Sequence, residues 1–163
     1  MDMASPKIRE YVPRRDKLAV KNLLVELLDF EKEIEPEWPS PGEIKERYFP
    51  YMLARCRKYS GTILVAEDAG KVIGFISVWA KMKPVSPSDS QEERAFISDF
   101  FVRQPYRSKG VGQLLIARAE ELARQKGVSS IRLWASAGNL RGRQFYRRAG
   151  YRELLAEYFK KLD

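Results

Sequence analysis

Apolar residues recur along the chain at spacings that predict its elements. Residues 7–12 (KIREYV) alternate between two sides and then meet Pro13, which predicts a short strand. Val20, Leu23, Leu24, Leu27 and Leu28 fall three and four positions apart in an otherwise charged stretch, the stripe of an amphipathic helix. Pro36, Pro39 and Pro41 then predict a loop that carries Trp38. A second helix starts at Ser40 or Gly42 and runs through Tyr48 towards Lys58, with Pro50 expected to bend or split it. Residues 62–67 and 71–79 read as strands joined by Asp68-Ala69-Gly70, a hairpin connection. A polar loop over residues 83–93 leads into the strand AFISDFFV at 95–102. Val111, Leu115, Ala119 and Leu122 mark one face of a helix over 110–125, stopped by Gly127. Residues 130–135 predict another strand, and Asn139 caps a short helix that ends at Gly150. Residues 151–159 are expected to return as a final strand.

The predicted order is β-α-α-β-β-β-α-β-α-β, without repeats, low-complexity tracts or linkers. It describes one α/β domain over residues 1–163, with a mixed central sheet flanked by helices.

Composition narrows the chemistry. The chain contains no histidine, which excludes Ser-His-Asp and Cys-His catalysis and His-ligated metal sites. Cys56 is the only cysteine, so disulfides and CxxC redox chemistry are excluded and a reducing, cytoplasmic compartment is expected. No run approaches the roughly 20 apolar residues of a membrane span, and residues 1–6 do not read as a signal peptide. The net charge is +8, yet DFEKEIEPE at 29–37 carries five acids and one lysine. An acidic segment early in the chain and a basic surplus after Arg94 point to two differently charged ligands.

The chemistry concentrates in DFFVRQPYRSKGVG at 99–112. A strand enters a turn holding Arg107, Gly110 and Gly112, and a helix opens at once. Glycines allow close approach of a ligand to the backbone, and free N–H groups at a helix start attract anions. Arg103, Arg107 and Lys109 add cations. The turn therefore predicts a phosphate or pyrophosphate, although the GxxxxGK[ST] loop is absent and GxGxxG is not met. Taken alone, it is equally a tight strand-to-helix connection.

VRQPYRSKGVG resembles the Val-x-x-x-x-Arg-x-x-Gly-x-Gly/Ala segment of the GNAT superfamily of N-acetyltransferases. Asn139 followed by FYRRAGY at 145–151 is similar to that family's Asn and Phe-Tyr-x-x-x-Gly-Phe/Tyr, and the element order agrees along essentially the whole chain. The resemblance implies an acetyl-CoA cosubstrate, no metal, and direct attack of a primary amine on the thioester. It places the pyrophosphate on Arg107, Ser108, Lys109, Gly110, Val111, Gly112 and Gln113. The pantetheine arm falls along Phe101, Val102 and Arg103, near Asn139. It makes Tyr146 the acid that protonates the departing thiolate, against the plain reading of Tyr146 as a core residue.

The general base is less direct. Many relatives carry Glu-Asp before Phe-Phe-Val, and this chain has Ser98-Asp99. Asp99 is read as a catalytic or amine-orienting group, or else as a strand residue paired with Arg103. The acidic segment 29–37 is expected between the first two helices, and there Glu31, Glu35 and Trp38 are candidate acceptor-binding residues, or else ordinary solvated helix-end charge. Arg141, Arg143, Arg147 and Arg148 form either a phosphate contact or a solvated face. The leading function is transfer of acetyl to a small polycationic amine such as a polyamine or aminoglycoside. A protein lysine or N-terminal acetyltransferase and a non-catalytic acetyl-CoA-binding regulatory domain are the alternatives. Neither nucleic acid nor membrane is expected as a partner, since +8 alone motivates the first and nothing the second. Many relatives dimerise, which makes a homodimer the assembly to look for.

Overall fold

The computed structural model describes residues 6–162; the early residues read above for a leader lie largely outside that range. The elements run β1 (Lys7–Glu10), α1 (Pro13–Ile34), α2 (Pro41–Lys58), β2 (Thr62–Asp68), β3 (Lys71–Met82), β4 (Arg94–Val102), α3 (Val111–Gln125), β5 (Ile131–Leu133) and α4 (Leu140–Arg148). The sheet order is β1-β2-β3-β4-β5, antiparallel except for the parallel β4–β5 pair. None of the helices described is long and apolar enough to cross a membrane.

Each face of the sheet buries its own apolar set. Leu23, Leu24 and Leu27 of α1 and Phe49 and Met52 of α2 pack on Val65, Phe75, Trp79 and Phe101. Val111, Leu115, Ala119 and Leu122 of α3 pack on Leu64, Ile76, Val78 and Ile97 of the opposite face. The stripes predicted from sequence are therefore the buried faces.

α1 begins at Pro13 without a side-chain cap from Val12. The carboxylate of buried Asp16 instead accepts the Val12 N–H at 2.7 Å and two bonds from Arg9 at 2.6 and 2.8 Å. α1 also runs further than its apolar stripe, so Asp29, Glu31 and Glu33 lie on its last turns rather than in a connecting loop. α2 opens on a capping box between Ser40 and Glu43 and continues through Pro50 as one helix.

The strand expected over 151–159 does not form: residues 149–162 have no regular structure. β5 explains why. It pairs with β4 over only three positions before residues 134–138 turn aside, leaving a short outer edge for a further strand. The tail is tied by side chains instead. Tyr151 donates to Glu120 at 3.2 Å, Arg143 and Arg147 both hold Glu153 at 2.6 Å, and Lys161 reaches Glu37 at 3.6 Å.

Two irregularities of β4 position the site. The β4–β5 ladder ends at Ile97↔Leu133, so the β5-side edge of β4 has no strand partner from Ser98 to Val102, although the Val102 carbonyl accepts from Arg107 Nε. In the β3–β4 ladder, Ser77 pairs with Asp99 and Val78 with Ile97, which leaves Ser98 as an extra residue. This bulge breaks the two-residue alternation. Ile97 joins the core under α3, whereas Asp99 turns towards α2, where Tyr48 donates to it.

Candidate active site

A cleft of about 810 Å³ lies where β5 parts from β4, lined from both faces of the sheet by α1, α2, β4, the turn before α3, and α4.

One end is built from backbone. After a 3₁₀ turn at Gln104–Tyr106, the chain passes through Ser108 at φ 60° and Gly110 at φ 82° and enters α3. The first helical N–H with a partner is Leu114, which donates to the Gly110 carbonyl at 3.1 Å. The N–H groups of residues 108–113 meet no protein acceptor among the described residues. Gly112 is fixed by packing: a Cβ there would lie 3.2 Å from Phe100 and 3.3 Å from Phe145. Arg107 folds back, donating from Nε to the Val102 carbonyl at 2.7 Å, with its guanidinium over Phe30 and Phe101. Its burial, and secondarily the charge of Arg141, lower its pKa. Arg141 bridges to Ser108 Oγ at 2.9 Å. The result is a run of N–H groups without a protein acceptor at a helix N-terminus, beside two guanidiniums, an arrangement able to hold an anion.

The other end is built from side chains. Asp99, 6% exposed, accepts hydrogen bonds from Tyr48 at 2.8 Å and Ser98 at 2.6 Å. Ser98 Oγ is 2.9 Å from Ser77 Oγ, which in turn is 3.3 Å from Cys56 Sγ. Burial raises the pKa of Asp99, and the two hydrogen bonds oppose that shift. Glu31 of α1 faces the same space beside Leu27, Ile34 and Phe100. Its pKa is pushed up to about 7, first by burial and then by the charge of Asp99. Tyr48 is raised by burial and by Asp99. Tyr146 is raised by burial and by Glu31, so its phenol stays protonated.

Of the residues expected from sequence, the cleft brings together Glu31, Trp38, Asp99, Phe101, Val102, Arg107, Ser108, Gly110, Gly112, Gln113, Asn139 and Tyr146. Asn139 also caps α4 by accepting the Gly142 N–H at 2.9 Å. Four others stand apart. Arg103 pairs with Glu26 at 2.8 Å rather than with Asp99, and its N–H goes to the Ile73 carbonyl. The side chain of Val111 is buried in the core under α3, and Lys109 lies exposed over Tyr106. Glu35 accepts a hydrogen bond from Ser136, fastening the end of α1 to the loop after β5. Sequence reading missed Tyr48: it sits on a helix between Ile44 and Met52, where an aromatic reads as core.

Comparison with known proteins agrees with this architecture. Residues 25–151 match the family described as "Acetyltransferase (GNAT) family". The uncharacterized N-acetyltransferase YhfO of Bacillus subtilis is 31% identical over 103 residues, covering 63% of this chain and 66% of YhfO. The chain spans about half the length of the relatives it matches in sequence, 66%, 54% and 44% for three of them. Among solved structures, a mutant of the Bacillus halodurans protein BH1408 superposes with a TM-score of 0.80 at 23% identity, over 96% of this chain and 99% of that one. AAC(6')-Iy in complex with a bisubstrate analogue, CoA-S-monomethyl-acetylneamine, superposes at 0.69 with 19% identity, over 98% and 99% of the two chains. These likenesses establish the fold.

Proposed function

The chain belongs to the GNAT family of acetyltransferases, and from that premise we propose that it moves an acetyl group from acetyl-CoA to a primary amine in a ternary complex. The observation that carries this reading is the open β4 edge running straight into a turn of acceptorless N–H groups. An open strand edge can pair with the amides of a pantetheine arm, and the turn can take the pyrophosphate attached to it. Arg107 and Arg141 supply the remaining positive charge. No acyl-enzyme is needed: buried Cys56 has a raised pKa, which disfavours its thiolate.

The thioester then lies between Tyr146 and the carboxylate end. Attack of the amine nitrogen on the carbonyl forms the new C–N bond, and collapse breaks the C–S bond. Tyr146, held in its O–H form, gives its proton to the departing thiolate and regains one from the attacking nitrogen through water. The acceptor is a small polycationic amine. Glu31 and Asp99 support this, since neither has an ion-pair partner among the described residues and a cationic acceptor would neutralise them.

Thiol release from acetyl-CoA tests the reading, with polyamines, aminoglycosides, amino acids and lysine peptides as acceptors. Turnover is expected on polyamines or aminoglycosides. Tyr146→Phe is expected to lower kcat by about 10²-fold or more while acetyl-CoA affinity, measured by calorimetry, stays unchanged. Equal kcat in both proteins would remove Tyr146 from the chemistry. Acetyl-CoA binding without thiol release on any amine would turn the reading into a sensor domain.

A further inference from the structure

We propose that Glu31, on the last turns of α1, is the base that takes the proton from the acceptor ammonium, and that Asp99 acts on it as a positioning residue. The inference rests on the acetyltransferase reading above.

An ammonium has no lone pair, so a group in the acceptor end must remove a proton before attack. Two carboxylates are available there, and their environments differ. Both oxygens of Asp99 are already engaged, Oδ1 by Tyr48 at 2.8 Å and Oδ2 by Ser98 at 2.6 Å, and Ser98 is itself tied to Ser77. Asp99 is thus locked into the protein. Glu31 has no hydrogen-bond or ion-pair partner among the described residues, and it lines the cleft. The groups sharing that space are Asp99 of β4, Tyr48 of α2, Tyr146 and Arg148 of α4 and, at the turn end, Arg107 and Arg141. The apolar surroundings of Glu31 make it more basic, and the nearby negative charge of Asp99 adds to that. A base that titrates near neutral pH is the one best matched to this task.

One N–H bond of the ammonium breaks and its proton goes to the Glu31 carboxylate; the freed lone pair attacks the thioester carbon. The second proton of the attacking nitrogen replaces the one Tyr146 delivers to sulfur. Glu31 later releases its proton to water, the one proton liberated per turnover.

The test is the pH profile of kcat/KM for the best acceptor, with wild type, Glu31→Gln and Asp99→Asn. Wild type should show an ascending limb near pH 7. In Glu31→Gln the limb should vanish, the rate at neutral pH should fall about 10²-fold, and activity should instead follow the fraction of neutral amine. A fluorinated analogue of that acceptor, already neutral in the assay, should restore the variant to within a few-fold of wild type. Asp99→Asn should keep a limb but move it to lower pH. A second readout does not depend on turnover: carbon NMR of the Glu31 carboxyl should show a midpoint near 7 that drops in Asp99→Asn. The proposal is overturned if Glu31→Gln keeps the wild-type limb, if the limb is lost only in Asp99→Asn, or if Glu31 titrates in the ordinary carboxylate range. Wild type that binds acetyl-CoA but releases no thiol on any amine overturns the enzyme reading and this step together. Wild-type turnover with an unchanged Glu31→Gln overturns this step alone.

Discussion

The two ends of the cleft are made by different means. Apart from Arg141, the turn end comes from one continuous stretch, 102–113, and apart from two guanidiniums its functional groups are main-chain N–H bonds set by φ angles and a helix start. The carboxylate end comes from four separate segments, which bring Glu31, Tyr48, Asp99 and Tyr146 to one space. A backbone site is rigid wherever its turn forms. A side-chain site exists only after the whole domain has packed, and it concentrates unpaired charge in apolar surroundings. The first end should therefore respond to changes of backbone geometry, and the second to changes of charge.

The largest effect on acetyl-CoA binding is expected at the turn. Gly110 sits at φ 82°, and a Cβ added there would meet nothing within 4 Å, so substitution acts through the backbone alone. Forcing a branched residue into that conformation costs about 1–2 kcal/mol. Gly110→Val should weaken acetyl-CoA binding about tenfold by calorimetry while the Glu31 titration stays in place; equal loss at both ends would break the distinction.

The next effect is one of stability and has the opposite sign. The folded-state pKa of Glu31 is raised from 4.5 to about 7, so its charged form is disfavoured by folding. Wild-type stability should fall as pH rises through that window and level off above it. Glu31→Gln, free of that cost, should be more stable than wild type above pH 7 by about 1–2 kcal/mol, with the difference fading towards pH 4. Thermal melts across pH check this, and a variant that is less stable at pH 8 would contradict it.

The smallest effect belongs to Arg103. Its pair with Glu26 has side chains 36% and 42% exposed, and such pairs contribute roughly 0–1 kcal/mol. Arg103→Ala should change acetyl-CoA affinity less than about twofold, which sets it apart from Arg107 four residues later.

The same contrast governs what could be read from the sequence. The turn was legible because residues 102–113 carry their glycines, arginine and helix start in one line. The helices under the sheet were legible because Val20–Leu28 and Val111–Leu122 repeat at helical spacing. Glu31 was legible in part: it lies four residues after Leu27 and three after Leu28, so it extends the apolar stripe with a charge. That misplaced acid is the signal for a half-buried carboxylate, masked by neighbouring acids and prolines that suggest a loop. Tyr48 gave no signal, because its partner Asp99 lies 51 positions away. The final strand is not legible, because the pattern of 151–159 says nothing about whether β5 offers a long enough edge.

The bulge at Ser98 makes the identity of the site a matter of counting. Ile97 and Asp99 are two apart and would share one side of a regular strand, yet they serve opposite layers of the molecule. Removing Ser98 would be more severe than replacing it by any residue. The shortened strand would have to turn half of itself over, setting either Asp99 among Val111 and Leu115 or Ile97 beside Tyr48. One residue of length, quite apart from the hydroxyl it lends to Asp99, decides which side of the sheet holds the carboxylate.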